Sequence, residues 1–175
     1  VYFQIDESNK APRRTLEMIS ELLRYQLYGG NQKVSILQEI DYLKTYIALR
    51  KLRMSERLRL RVEFPPELNE LNIYPLLFLP LVENAFKYVG GDYQLDIIMK
   101  WENNRISLFI RNSIPELSAE DEALRKSVDE RQRKGIGLVN LRRRLSLLYP
   151  NKHRLETRKE ETEFVAELMI EIEDI

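Results

Sequence analysis

The spacing of apolar residues changes near residue 57, and the change limits what each part of the chain can become. Before it, Leu16, Ile19, Leu22, Leu23 and Leu27 recur at helical intervals behind Pro12, a residue suited to an early helical position. That spacing predicts an amphipathic helix of about 17 residues. Further on, Ser35-x-x-Gln38 has the spacing of a capping box and is followed by Ile36, Ile40, Leu43, Ile47 and Met54, with Arg50 interrupting the seam. Ile40, Ile47 and Met54 are spaced like a heptad. Two such helices in succession suit a helical hairpin or a dimer-forming bundle, or helices folded back on the domain that follows.

From Arg57 the period is two. Leu58, Leu60, Val62 and Phe64 alternate with Arg57, Arg59, Arg61 and Glu63, as in a half-buried strand, and Pro65-Pro66 ends it. The same alternation recurs at Leu95/Ile97/Met99/Trp101, at Ile106/Leu108/Ile110 and at Phe164/Ala166/Leu168/Ile170/Ile172. Short connections between Trp101 and Ile106 and between the last two strands imply antiparallel hairpins. Helical patterns at Pro75 to Val89 and Leu138 to Leu148 alternate with the strands. The expectation is an α+β domain: a two-layer α/β sandwich with a mixed, largely antiparallel sheet covered on one face, preceded by amphipathic helices, with the division at 1–56 and 57–175.

Length and charge narrow the function classes. A chain of 175 residues holds one domain, or one domain with a helical appendage, and not two enzymatic domains. The 28 basic residues balance the 28 acidic ones, so no bulk field favours nucleic acid or a membrane surface, and any charge-driven partner is local. With no cysteine and one histidine, thiol chemistry, disulfides and multi-His metal centres are excluded. No run approaches the length of a membrane-spanning helix; Pro80 breaks the longest uncharged apolar stretch, Pro75 to Val82. Val1 opens the chain without Met and without a signal-peptide pattern, as a fragment of something longer would.

The six glycines fall in three pairs, Gly29-Gly30, Gly90-Gly91 and Gly135-x-Gly137. Lys134-Gly-Ile-Gly-Leu-Val-Asn140 opens a helix, and glycines there let backbone N–H groups approach an anion at a helix N-terminus. Around it, Arg131, Arg133, Lys134, Arg142, Arg143 and Arg144 form either a local anion-facing concentration or a solvated basic helix face. Ser113 to Lys134, rich in charge and poor in apolar anchors, reads as a lid ahead of the glycines or as an ordinary surface loop. In the helix from Pro75, the interior polar residues Glu83, Asn84 and Lys87 form one wedge on an otherwise apolar surface. Glu83 and Lys87 either pair with each other or face a polar cavity.

The two constellations together resemble a known family. Pro80-Leu-Val-Glu-Asn-Ala-Phe-Lys87, followed some 50 residues later by Lys-Gly-Ile-Gly-Leu-Val-Asn-Leu-Arg-Arg-Arg-Leu145, resembles the sensor histidine kinases of the LytS/YehU-like group, the first segment their N-box and the second their glycine-rich box. Ser20-Glu-Leu-Leu-Arg-Tyr-Gln-Leu27, Leu37-Gln-Glu-Ile-Asp-Tyr-Leu-Lys-Thr-Tyr46 and Leu52-Arg-Met-Ser-Glu-Arg-Leu58 extend the similarity in family order. The resemblance implies the Bergerat ATP-binding fold preceded by part of a dimerising helical hairpin. It implies ATP and Mg²⁺ as cofactors, with Glu83 and Lys87 as catalytic residues, Asn84 as the Mg²⁺ ligand, and Asn84, Asn112, Lys134, Gly135, Gly137 and Leu138 holding the cofactor. Ser113 to Lys134 would be the ATP lid.

The implied protein is the cytoplasmic catalytic portion of a membrane-anchored two-component kinase. It would phosphorylate a histidine on an upstream helix for relay to a response regulator, as a homodimer in the full-length protein, with no nucleic-acid partner. Two departures matter. The phosphoacceptor segment would precede Val1, and His153, in a turn before a strand, does not replace it. Where relatives carry Asp-x-Gly-x-Gly, this chain has Asn112-Ser-Ile-Pro-Glu116, so a neutral amide would accept the adenine amino group and the glycines are missing. The alternative reading is a degenerate module that retains the sandwich and serves dimerisation or regulator docking with weak or no ATP binding.

Overall fold

A computed structural model of the chain describes residues 10–28, 32–66, 68, 71–116 and 136–172. It divides into two compact units: residues 1–56 with 68–76, and residues 57–67 with 77–175.

In the helical unit, α1 (Lys10–Tyr28) packs on α2 (Ile36–Lys51). The capping box at the start of α2 forms as its spacing predicts: Ser35 Oγ accepts from Leu37 N–H and the Gln38 side chain accepts from Ser35 N–H at 3.1 Å. Ile36, Ile40, Leu43 and Ile47 are buried, as the seam requires. Met54 is not on the helix. Arg53 N–H bonds to Arg50 O and Met54 N–H to Lys51 O, three residues back in each case, so the chain tightens into turns after Lys51.

Two short strands, β1 (Val34–Ser35) and β3 (Asn72–Ile73), pair antiparallel and tie the start of α2 to the segment at 71–76. Within this unit Glu39 is fully buried; its Oε2 accepts from Tyr25 Oη at 2.7 Å and from Leu76 N–H at 2.9 Å. The Tyr25 and Tyr42 rings stack with centroids 4.7 Å apart. Burial, then the Glu39 carboxylate beside it, holds the Tyr25 hydroxyl protonated well beyond its ordinary range.

The second unit is built on a five-stranded sheet in the order β2-β4-β5-β7-β6, with β2 Arg59–Glu63, β4 Gln94–Glu102, β5 Arg105–Ser113, β6 His153–Lys159 and β7 Glu163–Glu171. β2 and β4 are parallel and the remaining pairs antiparallel, so the sheet is mixed and largely antiparallel. Alternation gives one face Leu95, Ile97, Met99, Ile106, Leu108, Ile110, Ala166, Leu168 and Ile170, all buried. Helix α3 (Leu79–Tyr88) lies on β4 and β5. Helix α4 (Ile136–Leu148) packs against α3 and β6, its Leu141 and Leu145 buried. This is the two-layer sandwich read from the sequence.

Candidate functional site

Helix α3 begins later than its apolar run suggests. The pattern predicts a start at Pro75, but Leu76 has a positive φ of 59° and the helix starts at Leu79. Pro80 is the reason. It has no N–H to give to residue 76, and its ring would crowd that carbonyl in a continuing helix, so it is accommodated only in the first turn. From there Leu79, Leu81, Val82, Ala85 and Phe86 are buried. What remains is the outer edge, where Glu83 and Lys87 are exposed and Asn84 is half-buried.

The polar wedge therefore sits at the rim of the sandwich and not inside it. The Lys87 ammonium lies 4.9 Å from the centre of the Tyr88 ring. That contact leaves the ammonium free to meet an anion from solvent.

Beyond α3 the chain turns at Gly90-Gly91 and is fastened to the end of β5. Gly90 N–H donates to Ser113 O at 3.0 Å, and Ser113 Oγ donates to Gly90 O at 2.6 Å while accepting from Gln94 N–H at 2.9 Å. A Cβ on Gly90 would lie 2.9 Å from Pro115 Cδ, and Gly91 takes a φ of +59° against the carbonyl of Ile114, so the close approach depends on both glycines. Ser113 thus closes β5, paired with Glu163 of β7; it does not open a lid, because its backbone and hydroxyl are both committed to neighbouring strands and turns. Of the expected lid, 117–134, with Arg131, Arg133 and Lys134, lies outside the described residues, as does Gly135.

Asn112 precedes Ser113 on the helix-covered face of β5, between Leu95 of β4 and Phe164 of β7, and it is fully buried. Its Nδ2 donates to Ser113 O at 3.3 Å. Its Oδ1 is buried with no hydrogen-bond partner among the described residues. An orphaned amide oxygen in a close-packed interior costs about 1–3 kcal/mol unless something outside the protein satisfies it.

At the start of α4, Gly137 is exposed and a Cβ there would meet nothing within 4 Å. Among the described residues neither backbone strain nor packing calls for glycine at that position, which leaves room for a group to approach the backbone. Leu138 is half-buried beside it. Of the basic cluster, Arg142 is structural, with Nη1 donating to Leu155 O at 2.9 Å, and Arg143 is exposed. His153 is half-buried at the start of β6 with Nδ1 2.7 Å from Tyr149 O, a local tie far from α3 in sequence.

These placements fit a nucleotide and its metal. Asn84, Asn112 and Gly137 come from α3, β5 and α4, with α3 packed on both of the others. Asn112 Oδ1 offers an acceptor that matches a purine amino group, and the open space at Gly137 suits a phosphate. Among the described residues no cluster of three or more His, Asp or Glu could hold a metal alone. An ion at Asn84 would thus take its other ligands from phosphate and water, the usual arrangement for Mg²⁺ on a nucleotide. A depression of about 440 Å³ on the opposite sheet face, around Ile98, Lys100, Phe109 and Glu167, contains none of these residues.

The sequence reasoning singles out Asn84, Asn112, Gly137 and Leu138 and gives no role to the Ser113 hydroxyl, whose partners lie 19 and 23 residues away with no local signature.

The chain is similar to known proteins in sequence and in fold. The family model described as "Histidine kinase" matches residues 1–58. The chain is 26% identical over 160 residues to the sensor protein kinase HptS of Staphylococcus aureus, covering 89% of this chain and 31% of that protein. It therefore spans about a third of the length of the curated relatives it matches. The catalytic domain of histidine kinase ThkA superposes with a TM-score of 0.50 at 17% identity, covering 79% of this chain and 93% of that one. Full-length ShkA in complex with AMPPNP gives a TM-score of 0.54 at 13% identity, covering 90% of this chain and 35% of that one. The fold is that of histidine kinase catalytic domains, and the chain resembles sensor histidine kinases.

Proposed function

We propose that this chain is the Mg-ATP-binding part of a sensor histidine kinase of the LytS/YehU-like group. Residues 1–56 would contribute dimerisation and phosphotransfer helices, and 57–175 the ATP-binding domain. One observation carries the reading: Asn112 Oδ1, a fully buried acceptor that the described fold leaves unpartnered, lies on the strand against which the Asn84 helix packs. Full-length ShkA, which shares this fold over part of its length and forms a complex with AMPPNP, lends support.

In this reading Asn112 accepts the adenine amino group and Asn84 supplies an oxygen to Mg²⁺. Lys134, Gly135, Gly137 and Leu138 surround the phosphates, Lys87 offers a cation to them, and Glu83 orients or deprotonates the attacking nucleophile. Mg-ATP would supply the phosphoryl group. The protein's contribution is position and charge neutralisation more than covalent chemistry. The acceptor histidine would lie upstream, and a response regulator would take the phosphoryl group in turn, in the cytoplasm beneath a membrane anchor.

Calorimetric titration with Mg²⁺ and AMP-PNP tests the reading. Binding in the micromolar to submillimolar range that is lost in Asn84→Ala supports it. No heat at millimolar nucleotide overturns it in favour of a dimerising or regulator-docking module without turnover, the reading favoured by the absence of glycine from 112–116.

A further inference from the structure

Asn112 recognises a purine only if its amide faces one way. An amide presents an acceptor on one side and a donor on the other, and turning it over would exchange an adenine-type reader for a guanine-type one. Here the nitrogen is engaged by Ser113 O, so Oδ1 is the side left over. A turned amide would set Oδ1 against the Ser113 carbonyl, acceptor against acceptor. The orientation is therefore only as secure as the Ser113 carbonyl.

That carbonyl is held by the Gly90 N–H, and the hydroxyl of the same residue fastens Gly90 from its other side. Ser113 O accepts from Gly90 N–H at 3.0 Å, and Ser113 Oγ returns a bond to Gly90 O at 2.6 Å and receives one from Gln94 N–H at 2.9 Å. Gly90 and Gly91 press against Pro115 and Ile114 from the other side. The end of α3 and the end of β5 are thus locked together at the residue next to Asn112. Where an Asp would need no such lock, because both its oxygens accept, a neutral amide does.

We propose that Ser113 is a positioning residue that sets the purine preference of the site: its hydroxyl fixes the β5 end to the α3 end, and its carbonyl keeps Asn112 Oδ1 as the acceptor offered to a 6-amino group. The inference rests on the nucleotide-binding reading above. Guanine, which carries a carbonyl oxygen at that position, is rejected because the amide cannot turn over to meet it.

The test compares Mg²⁺ with AMP-PNP and Mg²⁺ with GMP-PNP on the wild-type chain, Ser113→Ala and Ser113→Thr by calorimetry. The wild type prefers the adenine nucleotide. Ser113→Ala weakens AMP-PNP binding about three- to ten-fold, the worth of one buried hydrogen bond, and narrows the adenine-to-guanine ratio. Ser113→Thr, which keeps the hydroxyl, restores the ratio. General loosening would lower both affinities together, so the ratio is the decisive readout. If Ser113→Ala gives no cooperative melt, Gly90→Ala, which forces Pro115 away from the same junction, carries the same expectation. A ratio unmoved in the folded variants overturns the role of Ser113 while leaving nucleotide binding intact. A wild type that binds neither analogue overturns the nucleotide-binding reading itself and this inference with it.

Discussion

Glu39 in the helical unit and Asn112 in the sheet unit are both wholly removed from solvent, and they differ in how their oxygens are engaged. Glu39 Oε2 receives a tyrosine hydroxyl and a backbone N–H, one from α1 and one from the segment after β3. Asn112 gives one weak bond through its nitrogen and leaves its oxygen orphaned. At equal burial, one carboxylate oxygen gathers two donors from distant parts of its unit, whereas the amide oxygen gathers none among the described residues. The first ties α1 and the segment after β3 to α2, and the second is an acceptor that, in the proposed reading, a bound nucleotide would engage.

The contrast breaks if the two residues respond alike to mutation. Glu39→Ala removes the acceptor from two buried donors and is expected to cost about 3 kcal/mol in chemical denaturation, with Glu39→Gln costing less. Tyr25→Phe should cost about half as much as Glu39→Ala, since it deletes one of the two bonds.

The same hydroxyl gives the contrast a pH signature. Its folded pKa is raised, so its contribution is complete below the ordinary tyrosine value of 10.0 and is lost as pH rises above it. The wild-type denaturation midpoint should fall on raising the pH past 10.0, and Tyr25→Phe should flatten that fall.

At the other pole, Asn112→Leu fills the same space without an unmet acceptor. It should change stability by less than about 1 kcal/mol while weakening AMP-PNP binding about ten-fold or more. A stability loss as large as that of Glu39→Ala would make Asn112 a structural residue after all. A modest effect belongs to the half-buried cap of α2: Ser35→Ala should cost about 1 kcal/mol through the loss of the capping box, read as a small drop in melting temperature.

Sequence period carried the sheet almost whole, because alternation at Leu95 to Trp101 or Phe164 to Ile172 states directly which face is buried. The Ser35/Gln38 cap was equally plain, since its bonds span only two and three residues. What escaped is longer in range. Glu39 stands in a first helical turn, where an acid is ordinary, and only its register against Tyr25 and Leu76 reveals a buried carboxylate. Glu83 and Lys87 look interior in a greasy run, yet α3 turns them outward because Leu81, Val82, Ala85 and Phe86 claim the buried side. Asn112 was legible through its place in a motif; that its oxygen is orphaned was not, because satisfaction depends on neighbours from β4, β7 and the α3 turn.

The segment that contains β3 belongs to the helical unit although it is threaded between β2 and α3 of the other, so the backbone passes between the units at 56/57, at 67/68 and at 76/77. No single proteolytic nick can separate them into two contiguous pieces. A truncation beginning at Arg57 would still contain β3 stripped of β1 and the Leu76 amide stripped of Glu39. Anyone wishing to purify the sheet portion alone would have to excise the β3 segment and rejoin the chain, and not merely choose a new first residue.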